Sequence, residues 1–153
     1  MKLNLLILSM VFFLISCGNN NADKAPGTDG VNTKDVSSYD PNRGLGKFSK
    51  IELSPNLDVA KATAGEKVFG VKCSSCHKLT DEKLVGPGWK GVTSRHTPEW
   101  IMNFATNTDE MINKDPKAQA MLEICLVRMP NQNLSDDDAR NIYEFMRKND
   151  GVK

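Results

Sequence analysis

The sequence predicts an all-α domain on three observations. No stretch alternates apolar and polar residues over the length of a strand, helix-starting devices recur from Asp58 onward, and the last helical segment carries an unbroken apolar stripe. In that last segment Ser135 is the N-cap, with Asp136, Asp137 and Asp138 at the positive end and Arg147 and Lys148 at the negative end. Ala139, Ile142, Tyr143 and Met146 fall at i, i+3, i+4 and i+7, and Phe145 widens the stripe into a core-facing surface. About four helices are expected, with long loops over 73–96 and 126–134.

The chain opens with one basic residue, Lys2, and an apolar run from Leu3 to Ile15 interrupted only by Asn4 and Ser9. The run is short for a membrane span and has the layout of a secretory signal over residues 1–16. It ends in "LISCG", which lacks the small-residue site of an ordinary secreted protein and resembles the lipobox of bacterial lipoproteins. That resemblance makes Cys17 the acylated N-terminal residue and places the mature protein on the periplasmic face of a bacterial membrane. An uncleaved anchor or a soluble secreted form are the alternatives, and each still exports the domain. Several acyl chains anchor durably where a single chain does not.

Removing residues 1–16 takes away Lys2 alone, leaving 19 basic against 19 acidic residues. That balance excludes a large basic surface for nucleic acid or a charge block for a polyionic partner. About 137 residues remain, the size of one domain. From Cys17 to Asn56 the chain is dominated by Asn, Asp, Gly, Ser, Lys and Pro, a composition that buries too little to order itself. A flexible tether of about 40 residues is expected, with a reach on the order of 35 Å. Its last part, Leu45 to Leu57, has the alternative of lying along the domain, which occupies residues 57–153.

Within the domain, Thr63 and Glu66 have capping-box spacing at the start of a helix running to about Lys72. Thr97 before Pro98 predicts the next helix, "TPEWIMNFAT", and Asp115 before Pro116 repeats the device for "PKAQAMLEIC".

Between the first two helices stands "CSSCH", Cys73 to His77. A structural zinc site wants four ligands, usually as two pairs, and the domain adds only His96 and Cys125. A disulfide-shuttling pair belongs at the start of a helix after a strand, whereas this motif follows a helix. C-x-x-C-H as a covalent c-type haem site is the favoured reading. Cys73 and Cys76 sit a short, fixed distance apart, as thioether bonds to two vinyl groups on one porphyrin edge require. His77 is thereby brought over the iron as an axial ligand.

The sixth ligand separates electron carriage from ligand binding. Met102, Met121 and Met146 lie on expected helices, where methionine is usually packing, and Met111 follows the polar "TNTDE". Met129 stands in a loop stopped by Pro130, ahead of the capped final helix, and is preferred to His96, which precedes an N-cap and suits a loop or propionate-side role. Cys125, at the end of an apolar helical stretch, reads as a small buried hydrophobe, with an oxidisable or intermolecular thiol as the alternative.

"GEKVFGVKCSSCHKL", "LVGPGWKGV" and "RMPNQNLSDDDARNIYEFMRK" together resemble the class I mono-haem cytochromes c over Gly65 to Asn149. The resemblance implies a small all-α fold wrapped round one haem c, with Gly65 and Phe69 of the first helix crossing Phe145 of the last. It implies that Pro87 offers its carbonyl to the free N–H of His77, a bond that fixes the tautomer and raises ligand basicity. Met129 takes the place of the methionine ligand, and Trp89, Arg95 and Trp100 become candidates for wall and propionate contacts.

A His/Met pair leaves no site for substrate, so a monomeric one-electron carrier is expected and an enzyme is not. Its implied partners are redox proteins that approach an exposed haem edge: a quinol-oxidising complex upstream, and a terminal oxidase or a nitrogen-oxide reductase such as nitrous oxide reductase downstream. A peroxidase-like or ligand-binding haem protein with an open or displaceable sixth site is the alternative.

Overall fold

The computed structural model describes residues 39–153; the expected signal segment, Cys17 and the first part of the tether lie outside them. Among the described residues there are six helices and no strands: α1 Val59–Lys72, α2 Val92–Arg95, α3 Pro98–Thr106, α4 Thr108–Lys114, α5 Pro116–Cys125 and α6 Asp136–Asn149. None of them is long and apolar enough to cross a membrane.

Three of the predicted starts hold in detail. The Thr97 hydroxyl accepts from Trp100 N, the Asp115 carboxylate accepts from Ala118 N, and Ser135 forms a reciprocal capping box with Asp138. The start of α1 differs from expectation. Its cap is Asp58, whose side chain accepts from Lys61 N, and Thr63 lies one turn inside with its hydroxyl turned back to the Val59 carbonyl. An Asp one turn earlier satisfies the orphan N–H groups before Thr63 is reached. Two short helices also exceed the expected four: α2 interrupts the 73–96 loop, and α4 places Met111 on a helix with its side chain fully buried.

α1 and α6 make the most extensive helix pair. Gly65 is buried at their crossing, where an added Cβ would stand 2.0 Å from the Asn141 carbonyl oxygen. On the same side Phe69 meets Phe145 at 5.5 Å between ring centroids and Trp89 at 4.8 Å. The loop carrying Trp89 is tied to the end of α6, because the Asp150 carboxylate accepts from the backbone of Gly91 and Thr93.

Residues 39–57 lie along the domain, so a free tether does not extend to Asn56. Asn103, completely buried, donates to the carbonyls of Arg43 and Phe48 and accepts from Phe48 N. Met111 Sδ accepts from Leu45 N at 3.0 Å, and the Arg147 guanidinium, itself paired with buried Glu144, donates to the carbonyls of Ser54 and Pro55. The contact begins at Tyr39, whose hydroxyl donates to buried Asp115 at 2.6 Å. Burial and that carboxylate hold the Tyr39 phenol well above its ordinary range, so it stays a donor through any physiological pH. Each bond is to a side chain some 50 to 90 positions away, which composition cannot reveal.

Candidate haem site

α1 ends at Lys72, and the chain folds into a turn in which Cys76 N and His77 N both donate to the Cys73 carbonyl. The turn places Cys73 in the core and leaves Cys76 and His77 half-buried. Among the described residues no two cysteines form a disulfide. Burial pushes the Cys73 thiol up to about 11, so it is neutral at physiological pH. A neutral thiol is a poor exchanger, whereas a thioether has no charge to bury. Among the described residues no three His, Cys, Asp or Glu side chains gather as a metal cluster.

His77 Nδ1 lies 2.9 Å from the Pro87 carbonyl oxygen. A carbonyl only accepts, so Nδ1 carries the proton and the Nε2 lone pair is left for a metal. Burial holds this imidazole below its ordinary range, and the Pro87 bond pulls weakly the other way. Both effects suit a ligand, since burial keeps the ring neutral and the bond makes it more electron-rich. Gly86 is the reason the loop can come so close: an added Cβ there would be 2.3 Å from His77 Cε1.

His77 opens onto a cleft with two adjoining cavities, of about 290 and 70 Å³. His77, Pro87, Phe104, Met121 and Met129 line both. Cys73, Trp89, Arg95, His96 and Trp100 line the larger one, and Cys76 and Cys125 the smaller. The walls are almost wholly apolar, and one His Nε2 with two thiols at an edge suits a flat apolar cofactor held at its rim. The residues therefore fit a covalently attached haem.

Of the other expected contacts, Phe69 stands behind the site against Trp89 and lines neither cavity. Arg95 is mostly exposed and spends its guanidinium on the carbonyls of Gly88 and Lys90, which stiffens the loop after Pro87. His96 stacks on Trp100 at 4.2 Å, and Trp100 on Phe104 at 5.2 Å. Trp100 and Phe104 share one face of α3 at i, i+4, a spacing the sequence carries, while His96 joins the stack from the residue before the cap. Cys125 is half-buried at the cleft wall, not a core residue. Met121, assigned to packing from its helical position, lines both cavities beside Met129. Met102 is fully buried and lines neither, and Met146 reaches only the larger.

Comparison with known proteins agrees with this geometry. The family model described as Cytochrome c matches residues 62–150. A cytochrome c from Rhodothermus marinus superposes with a TM-score of 0.66 at 33% identity, covering 69% of this chain and 90% of that one. An engineered form of the same cytochrome gives 0.69 at 32% identity, covering 72% and 98%. A curated relative, the cytochrome c-type cyt cy of Rhodobacter capsulatus, is 38% identical over 47 residues, which are 31% of this chain and 24% of that protein. The matched segment thus spans about a quarter of the length of that relative.

Proposed function

The chain belongs to the class I cytochrome c family, and on that premise we propose that it is a membrane-tethered one-electron carrier whose haem iron is held between His77 and Met129. The observation that carries the ligand assignment is the His77 Nδ1 bond to Pro87, which leaves Nε2 unprotonated on a ring that lines the same cleft as Met129. Bound there through Cys73 and Cys76, haem c supplies a one-electron ferric/ferrous couple.

His77 would hold the iron as a neutral, electron-rich ligand. Met129 would supply a soft thioether, a ligand that favours the ferrous state and raises the potential relative to harder ligands. Trp89, Trp100 and Phe104 give the cleft apolar walls, and in a low dielectric the form with less charge gains. The Pro87 bond and the Phe69 and Trp89 contacts hold the His77 side rigid, so little must move when an electron arrives.

Met129 is chosen over Met121 because it lies in the non-helical segment before α6, where the backbone is free to set its direction, while Met121 is bound to the helical register of α5. Lipid on Cys17 would keep the domain near membrane-bound donors and acceptors, for which a quinol-oxidising complex and a terminal oxidase or nitrogen-oxide reductase are the fitting classes.

The test is the optical spectrum of the domain made with c-type maturation machinery, taken ferric, ferrous, and ferrous under carbon monoxide. Haem retained through acidified-solvent extraction, a ferric methionine-to-iron charge-transfer band and no response to carbon monoxide are expected. A carbon monoxide shift in the unmodified protein overturns the His/Met assignment in favour of the ligand-binding alternative. Cys17→Ser should release the protein from membranes, and continued lipid labelling of that variant would refute the anchor. Gly86→Ala should leave haem attached yet tilt His77, seen as displaced haem-methyl shifts in the ferric NMR spectrum.

A further inference from the structure

The exposed apolar side chains of the described residues are not scattered evenly. Leu84 on the loop after the haem-binding motif is 47% exposed, and Ile124 and Leu126 at the end of α5 are 69% and 83% exposed. The two segments are joined, because Lys83 Nζ donates to the Ile124 carbonyl at 2.8 Å. Their neighbours Val85 and Val127 line the smaller cavity together with Cys76, so the patch borders the side of the cleft that holds one of the two haem-bonding thiols. Leu84, Ile124 and Leu126 themselves line neither cavity, so filling the cleft would not cover them.

Leu126 is unusual in a second respect. It caps α5 in the left-handed region, φ 62° and ψ 2°, where a Cβ crowds the following carbonyl and glycine or asparagine is the ordinary choice. A leucine there is disfavoured by its backbone and gains nothing from burial. Such local cost at a site next to the cofactor is a sign of a role outside the fold.

The charges around the patch cancel. In the two segments Lys78, Lys83 and Arg128 are matched in number by Asp81, Glu82 and Glu123. Lys78 pairs with Glu82, and Arg128 is held by Asp109 and Asn113. A partner gains no long-range attraction from such a rim, and a charged partner face would meet no counter-charge.

We propose that Leu84, Ile124 and Leu126 form the surface on which a redox partner docks, and that the partner's contacting face is itself apolar and charge-poor. The inference deepens the electron-carrier reading and rests on it. Contact is brief and small, as suits electron-transfer encounters, and removal of the leucines from water drives it where charge pairing does not. A second copy of this protein presents an apolar face whose rim carries no net charge, which makes it a defined probe.

Electron self-exchange between ferrous and ferric copies of the haem-loaded full chain bearing Cys17→Ser, measured by NMR, tests the surface. The rate should change less than twofold between low salt and 0.5 M salt. It should fall about tenfold in Leu84→Glu/Leu126→Glu and stay low at high salt, where repulsion between added charges is screened. Leu126→Gly should melt no lower than the parent, since it relieves the left-handed strain, yet exchange severalfold more slowly. Exchange unaltered in both variants, or a parent rate that climbs steeply with salt, overturns the proposal. So does a stable dimer in light scattering that Leu126→Glu abolishes, or binding to phosphatidylcholine vesicles lost in that variant with exchange unchanged. A reversible one-electron couple in every variant separates these outcomes from failure of the carrier reading, which would show as loss of the couple in the parent.

Discussion

Replacing Met129 with alanine is expected to leave the haem attached, lower its potential by roughly 0.1–0.3 V within the ~0.8 V range that axial ligands command, and open the iron to carbon monoxide. On the proposed assignment attachment depends on Cys73 and Cys76, which the substitution does not touch. The potential falls because the thioether favours ferrous over ferric iron, and water or hydroxide in its place reverses that preference. Met121 lines both cavities as Met129 does, so the paired variant Met121→Ala is the necessary control. It should keep the charge-transfer band and lose only packing, at a cost of about 2–3 kcal/mol for a half-buried methionine. If Met121→Ala removes the band and Met129→Ala does not, the ligand is Met121. Potentiometry and the ferric spectrum near the charge-transfer region decide between them.

Gly65→Val is expected to remove much of the stability of the domain, by about 3 kcal/mol or more. The added Cβ alone would lie 2.0 Å from the Asn141 carbonyl oxygen and 2.9 Å from Ile142 N, both backbone atoms of α6 that no rotamer change can move. α1 and α6 must therefore separate, and the Phe69–Phe145 contact at 5.5 Å and the Trp89 packing behind His77 loosen with them. Gly70, on the same helix with nothing within 4 Å of its would-be Cβ, provides the contrast. Gly70→Ala should raise stability by about 0.5–1 kcal/mol through helix propensity and reduced unfolded-state entropy. At roughly 4–8 °C per kcal/mol for a domain of this size, thermal melts should move in opposite directions by clearly resolved amounts. Equal behaviour of the two variants would mean that the helices do not cross at Gly65.

The elements most legible in the chain are those whose signals fit within a few residues. Thr97–Pro98, Asp115–Pro116 and Ser135 each place a cap where the backbone has orphan donors, and "CSSCH" fixes two thiols and an imidazole by covalent spacing alone. Thr63 misled because capping-box spacing is blind to a better cap one turn earlier at Asp58. α2 and α4 escaped notice because, at four and seven residues, neither is long enough to show a face. For Leu45 to Leu57 the fold takes the alternative of lying along the domain, and only Tyr39 to Gly44 departs from the tether expectation, because the order of the segment comes from Asn103, Asp115 and Arg147, which hold it by hydrogen bonds from far along the chain.

The sequence by itself determined the all-α class, the two cysteines and the histidine of the haem motif, and the Met-Pro loop before the last helix. These depend on local geometry that any fold must respect. The Pro87 bond to His77, which the family resemblance implied, is present in the fold, and only the tertiary structure decided that Met121 shares the cleft with Met129 and that apolar side chains from two segments meet beside it. Those relations exist once α1 and α6 close at Gly65 and bring distant parts of the chain to one cleft, and no spacing along a single segment encodes them.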